Sequence, residues 1–331
     1  MKFTTLRFLG LVTVLVVIAT ACGSSPSPGG TAAVQKVSLR LKWLHQAQFA
    51  GFYAADKEGY YNSANLAATL EPGGPNADAV QLVAGGSDTF GEAGADQVLL
   101  ARAKGVDIVA VAVIYQQTPF ALITKASSGI QTMAQLKGKK IGVKFGQSEE
   151  VTYRAMLAAG GLTQSQVTES PVQFDMGPFL AGSIDAFPGY SINEALAAQE
   201  QGTPVNLITP TSVGITNFYA DTVFTTGAEI KNHPDVVKAF VQASLKGWDW
   251  AYANPDAAAA LGLNWDSTLK LPHEKAEMAA SLPSLKPGTM PIGSMDTASW
   301  TALQNLLLSQ KQLSSAQDIS KAMTTTFLPS S

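Results

Sequence analysis

The stretch Val37–Gly59, VSLRLKWLHQAQFAGFYAADKEG, contains a change of period that decides the fold. From Val37 to Trp43 apolar and polar residues alternate, the pattern of a strand with one buried face. From Gln48 the apolar residues recur at helical spacing, and the run stops on Gly59, the residue type best suited to a left-handed helix C-cap. The same switch repeats down the chain. Strands are expected at Ala67–Leu70, around Phe90 and at Ile108–Ile114, with helices at Asn76–Ala84 and Asp96–Lys104 between them. A second unit opens at Leu136-Lys137-Gly138-Lys139-Lys140. Its strand Ile141–Val143 leads into a helix at Ser148, and strands at Val172–Phe174, Asp185–Phe187 and Val205–Ile208 alternate with helices at Gly177–Gly182 and Ile192–Gln201. A further strand at Val223–Thr225 precedes a helical tail that includes Pro234–Tyr252, with proline at its first turn. Strand–helix alternation implies largely parallel sheets flanked by helices, hence an α/β fold. Two units, with crossings near Thr124 and Tyr219, imply two lobes and a cleft: 37–124 and 220–331 in the first lobe, 125–219 in the second. Interfaces of this kind favour ligands.

Bulk properties bound the function. A chain of 331 residues exceeds what one compact core usually holds. The net charge of −3, with 22 lysines and arginines dispersed along the chain, gives no footprint for nucleic acid or a polybasic membrane surface. Three scattered histidines, His45, His233 and His273, form no metal-binding or nucleophile motif, so no metal, cofactor or catalytic residue is expected.

The N-terminus has the three-part layout of an export signal: Lys2 and Arg7, an apolar run Phe8–Ile18, then Ala19-Thr20-Ala21-Cys22. Residues 1–21 are expected to be removed and 22–36 to be a Gly/Ser/Pro tether. Cys22, the single cysteine, stands after small residues as in a bacterial lipobox. Acylation there would hold the mature protein at the outer face of the membrane. The rival reading is plain cleavage at Ala19-Thr20-Ala21, also an A-x-A site.

From Trp43 to Tyr61 the sequence WLHQAQFAGFYAADKEGYY resembles the opening of the solute-binding proteins of ABC importers, in the branch that captures thiamine pyrimidine precursors and riboflavin. Gly74-Pro75, Gly86-Ser87-Asp88, Phe90-Gly91, Leu136–Glu150, Ile184–Ala186, Glu194 and His233–Asn254 are similar to later landmarks of that family. The resemblance implies a two-lobed type II periplasmic-binding-protein fold that acts as a monomer. It would close on one small molecule and deliver it to a permease driven by a cytoplasmic ATPase. The implied ligand-binding set is Trp43, Gln46, Gln48, Phe49, Tyr53, Tyr115, Gln116, Phe145, Gln147, Tyr190, Glu194 and Asn217. Trp43 offers either a stacking platform for a flat ring or a core tryptophan capping the sheet. Tyr190 would complete a sandwich with it. Pyrimidine-precursor binders commonly carry histidine where this chain has Phe49, an exchange that favours a larger, flatter ligand and hence riboflavin; a pyrimidine precursor is the alternative. Glu149 and Glu150 already occupy the first turn of the Ser148 helix, as cleft groups or as plain dipole compensation, and either way they disfavour a strongly anionic ligand there. Asp185 and Asn193 are cleft residues or strand and helix ends, and Asp221 is a hinge or turn residue. Iron-dependent pyrimidine-synthesising relatives carry a cysteine cluster that this chain lacks, so binding is expected and catalysis is not. A contact-signalling sensor would need a further span or domain.

Overall fold

A computed structural model of the chain describes residues 33–215 and 219–329. The expected export signal, Cys22, most of the expected tether and Asn217 lie outside them.

Among the described residues ten strands form two five-stranded sheets. The first has the order β2-β1-β3-β10-β4, built from β1 (Gln35–Arg40), β2 (Leu66–Glu71), β3 (Phe90–Ala93), β4 (Ile108–Tyr115) and β10 (Asp221–Thr226). The second has the order β7-β6-β8-β5-β9, from β5 (Phe120–Lys125), β6 (Lys140–Val143), β7 (Thr168–Pro171), β8 (Ala186–Tyr190) and β9 (Val205–Ile208). Both sheets are mostly parallel. In each, the strand that follows a crossing runs antiparallel to its two neighbours: β5 against β8 and β9, β10 against β3 and β4. The crossing lies ahead of Phe120, because β5 pairs wholly within the second sheet, and not near residue 124. Gln116-Gln117-Thr118-Pro119 breaks what otherwise reads as one apolar run, and Pro119 cannot donate to a ladder.

The opening stretch folds as its period dictates. Leu39 and Leu41 are buried, Ala47–Phe49 form one 3₁₀ turn, and Ala50–Lys57 is the helix. Gly59 takes φ 72°, the left-handed conformation its position demanded. The helix packs against Pro234–Ala253 at close range. A Cβ on Gly51 would fall 2.0 Å from the Trp248 ring, and one on Gly247 2.2 Å from the Gly51 carbonyl. Around this contact Phe52 meets Trp248 edge-on, and Phe90 and Phe240 stack with centroids 3.9 Å apart, forming the core of the first lobe.

One strand differs from expectation. The residues read as a strand at Val172–Phe174 follow β7, which ends at Pro171; the ladder gains one more bond, from Val172 N to Val143 O, and Phe174 is released from it.

Candidate functional site

Parallel α/β sheets bind ligands beyond the carboxyl ends of their strands, and between the lobes a cavity of about 230 Å³ lies at that place. Lys42, two residues past β1, lines it from the first lobe, and Lys144, directly after β6, from the second. Each lysine is matched by carboxylates. The Lys42 ammonium donates to Asp221 Oδ1 (3.0 Å), the Ala220 carbonyl (3.0 Å) and the Tyr190 hydroxyl (2.6 Å). Lys144 donates to Glu149 (3.2 Å) and Glu194 (3.1 Å). Burial alone would pull both lysines down, but Asp221 and Tyr190 hold Lys42 well above its ordinary range, and Glu194 and Glu149 raise Lys144. Burial likewise works against the Glu149 carboxylate, and Lys144 and Lys42 outweigh it and lower its pKa.

Aromatic and amide groups supply the rest of the lining. The rings of Trp43 and Phe174 lie 4.1 Å apart at 50°, with the Lys144 ammonium 4.9 Å from the Phe174 centroid. Gln46 Nε2 donates to Gln48 Oε1 (2.7 Å) and its Oε1 accepts from Asn193 Nδ2 (2.8 Å), while Gln48 Nε2 donates to Asp221. Three hydrogen bonds clasp the lobes across this site: Lys42 to Tyr190, Asn193 to Gln46, and Ser148 Oγ to Asp96 Oδ1 at 2.9 Å. At the last contact Gly94 is required, because a Cβ there would sit 2.6 Å from Ser148 Oγ.

Of the residues expected at the site, Trp43, Gln46, Gln48, Gln147, Tyr190 and Glu194 line the cavity. Phe49 and Tyr53 do not: they are fully buried in the first-lobe core, Tyr53 stacked on Trp265 at 4.5 Å. The 3₁₀ turn separates the neighbours Gln48 and Phe49, sending one to the cavity and the other inward, so Phe49 says nothing about ligand size. Tyr115 is buried with its hydroxyl donating to Ser281, and Gln116 is buried with Nε2 on the Pro291 carbonyl. Phe145 is 50% exposed and stands outside the cavity, beside Arg154. The Trp43 partner is Phe174, and Tyr190 instead hydrogen-bonds Lys42. Asp185 accepts from Lys140 N and stands just ahead of β8, whereas Asn193 lies in the cavity. Lys42, Lys144, Phe174, Ser148 and Glu92 are cavity residues that the sequence reading left out.

Glu92, on β3, is fully buried, lines the cavity and, among the described residues, has no donor in hydrogen-bond geometry at either carboxyl oxygen. Burial first, and then the Asp221 carboxylate, push its pKa well above the usual 4.5 despite the pull of Lys42. A raised folded-state pKa gives a definite sign. Below pH 4.5 both folded and unfolded chains keep this proton. Above it the unfolded chain releases the proton more readily, so the stability due to Glu92 falls with rising pH until its folded pKa is passed. Glu92→Gln is therefore expected to match the wild type at pH 4 and to melt higher at pH 7–8. Equal melting temperatures across that range would contradict a protonated Glu92.

A family model described as NMT1/THI5 like matches residues 46–258, well over half of the chain. The chain belongs to the NMT1/THI5-like family. Among its relatives, riboflavin-binding protein RibY of Chloroflexus aurantiacus is 27% identical, with 98% of both chains covered. The formylaminopyrimidine-binding protein of Halalkalibacterium halodurans is 26% identical over 81% of this chain and 83% of its own. Proteins named as 4-amino-5-hydroxymethyl-2-methylpyrimidine phosphate synthases also match, that of Legionella pneumophila at 20% identity over 89% of this chain and THI5 of Saccharomyces cerevisiae at 24% over 66%. Among solved structures, the periplasmic aliphatic sulphonate binding protein SsuA of Escherichia coli superposes with a TM-score of 0.69 at 17% identity, covering 87% of this chain and 91% of that one. The shared architecture is that of a two-lobed periplasmic binding protein. Among the described residues no helix is long and apolar enough to cross a membrane.

Proposed function

We propose that the protein is the extracytoplasmic substrate-binding component of an ABC importer, anchored by a lipid on Cys22, that closes over a neutral, flat heteroaromatic vitamin, with riboflavin favoured. The observation that carries this reading is the end-to-end alignment with a riboflavin-binding relative, over 98% of each chain. The chemistry of the cavity supports it. Both lysines are already engaged by carboxylates, so an anion would meet Glu149 and Glu194 as well as Lys144. Trp43 and Phe174 offer aromatic faces, and Gln46, Gln48 and Asn193 offer donors and acceptors to a lactam-like edge. No residue here is assigned a bond-making role. Binding shifts an open–closed equilibrium towards the shape that a permease, coupled to a cytoplasmic ATPase, would recognise.

One observation favours a second ligand. At about 230 Å³ the cavity is smaller than the roughly 300–1,000 Å³ common for drug-sized ligands. A single-ring pyrimidine precursor fits the lobes as they stand, whereas a tricyclic flavin requires them to part and Trp43 to separate from Phe174. Titration of the purified domain with riboflavin and with 4-amino-5-hydroxymethyl-2-methylpyrimidine separates the two. Riboflavin is expected to lose its own fluorescence and to quench tryptophan at micromolar concentration or below. If flavin emission is unchanged while the pyrimidine alters tryptophan emission, the second ligand replaces the first; if neither binds, the vitamin reading fails.

A further inference from the structure

The helix Leu271–Leu285 carries a group of side chains for which the cavity just described has no use. His273, Glu274 and Glu277 bring one potential ligand atom each to within 4.8 Å of one another. We propose that these three residues bind a divalent cation of the zinc class where this first-lobe helix meets the second lobe.

The argument begins with charge. Glu274 is 2% exposed and Glu277 fully buried, and among the described residues no lysine or arginine forms an ion pair with either. Buried carboxylates are normally paired, or they coordinate metal. Among the described residues Glu277 Oε2 has no hydrogen-bond partner although it is enclosed. The spacing is favourable, since residues four and three apart on a helix, His273 with Glu277 and Glu274 with Glu277, share a face. Metal–ligand bonds of about 2.0–2.2 Å put the donors of a tetrahedral site roughly 3.3–3.6 Å apart, so side-chain rotation that draws these atoms together by up to about 1.5 Å completes the set. One imidazole and two carboxylates leave a coordination position for water and suit a borderline ion better than magnesium.

The surroundings resemble a built site. Glu200, on the second-lobe helix Glu194–Glu200, holds His273 Nδ1 at 3.0 Å through both oxygens, the carboxylate–histidine arrangement that orients a ring so that Nε2 is left to a metal. Ala47 N donates to Glu274 Oε2, and Gln46 Nε2 to Glu277 Oε1 at 3.0 Å. Gln46 also binds Asn193 of the second lobe, so the ion would fix a residue that lines the cavity and clasps both halves.

Untagged protein, stripped with chelator, is to be titrated with Zn²⁺ and with Mg²⁺ by calorimetry, with thermal melts alongside. One Zn²⁺ per chain is expected to bind in the low micromolar range or tighter and to raise the melting temperature, with Mg²⁺ inert. His273→Ala should weaken Zn²⁺ binding at least tenfold. Glu277→Gln should do the same while folding normally, because it removes a buried charge without changing shape, so lost binding there cannot be ascribed to unfolding. Absence of Zn²⁺ binding in the wild type, or binding unchanged in both variants, overturns the proposal and leaves the two carboxyls neutralised by protons. None of these readouts involves the vitamin, so the outcome is independent of which ligand the cleft takes.

Discussion

Asp221→Ala is expected to destabilise the fold by about 3–5 kcal/mol, the usual loss when one partner of a buried ion pair is removed. Asp221 is fully buried, accepts from the Lys42 ammonium on one oxygen and from Gln48 on the other. Without it Lys42 keeps only the Ala220 carbonyl and the Tyr190 hydroxyl, neither of which offsets a desolvated charge. For a protein of this size the shift in melting temperature should be on the order of 10 °C. Glu92 lies in the same cavity and can give up its proton to replace part of the lost charge, so the deficit should be smaller at pH 8 than at pH 5. The double variant Lys42→Met/Asp221→Leu should recover most of the stability, because a buried pair exchanged for apolar groups of similar size is often neutral. It should not recover ligand binding, since Gln48 and Tyr190 lose the partners that aim them. Urea denaturation of the single and double variants measures the coupling; a single variant within 1 kcal/mol of wild type would show that water reaches Lys42.

The second large effect concerns the ligand. Trp43→Ala should weaken binding of the proposed vitamin roughly 10–100-fold, the equivalent of about 1.5–3 kcal/mol for the buried face of one aromatic side chain and its ring contact. Phe174→Ala should act in the same direction. Trp43 packs only partly against the core, so melting temperatures should barely move. Tyr53→Phe is the contrast. It touches a residue of the implied site that the fold puts in the core, and it should leave affinity unchanged. Fluorescence titration of the three variants decides the matter, and a Trp43→Ala protein that binds like wild type returns that tryptophan to a structural role.

The difference between Trp43 and Tyr53 explains what could be read from the sequence. Period and punctuation are local, so the strand at Val37, the helix ended by Gly59 and the long helix begun by Pro234 were all legible. Direction was not: β5 and β10 look like any other strand, and only the sheet reveals that they run against their neighbours. The loop after β1 does line the cavity, as read from the sequence, but aromatic content misled. Phe49 and Tyr53 are one helical turn apart on the face that turns into the core. Lys42 was missed for the opposite reason. It continues the polar side of Ser38 and Arg40, which reads as solvent, and its partners Tyr190 and Asp221 are 148 and 179 residues away. Phe174 escaped because Pro171 ends β7 three residues earlier than the apolar run suggests.

The central place of β10 has a consequence for how the chain folds. In the order β2-β1-β3-β10-β4, strand β4 joins the first sheet only through β10, which begins at Asp221, about 100 residues after β4 ends at Tyr115. The first lobe therefore cannot finish its sheet until the whole second lobe has been synthesised, and the loop to be closed is long. Contacts of such high sequence separation form slowly. For a chain exported unfolded, as proposed above, that delay would be useful, because the first sheet stays incomplete until β10 has emerged.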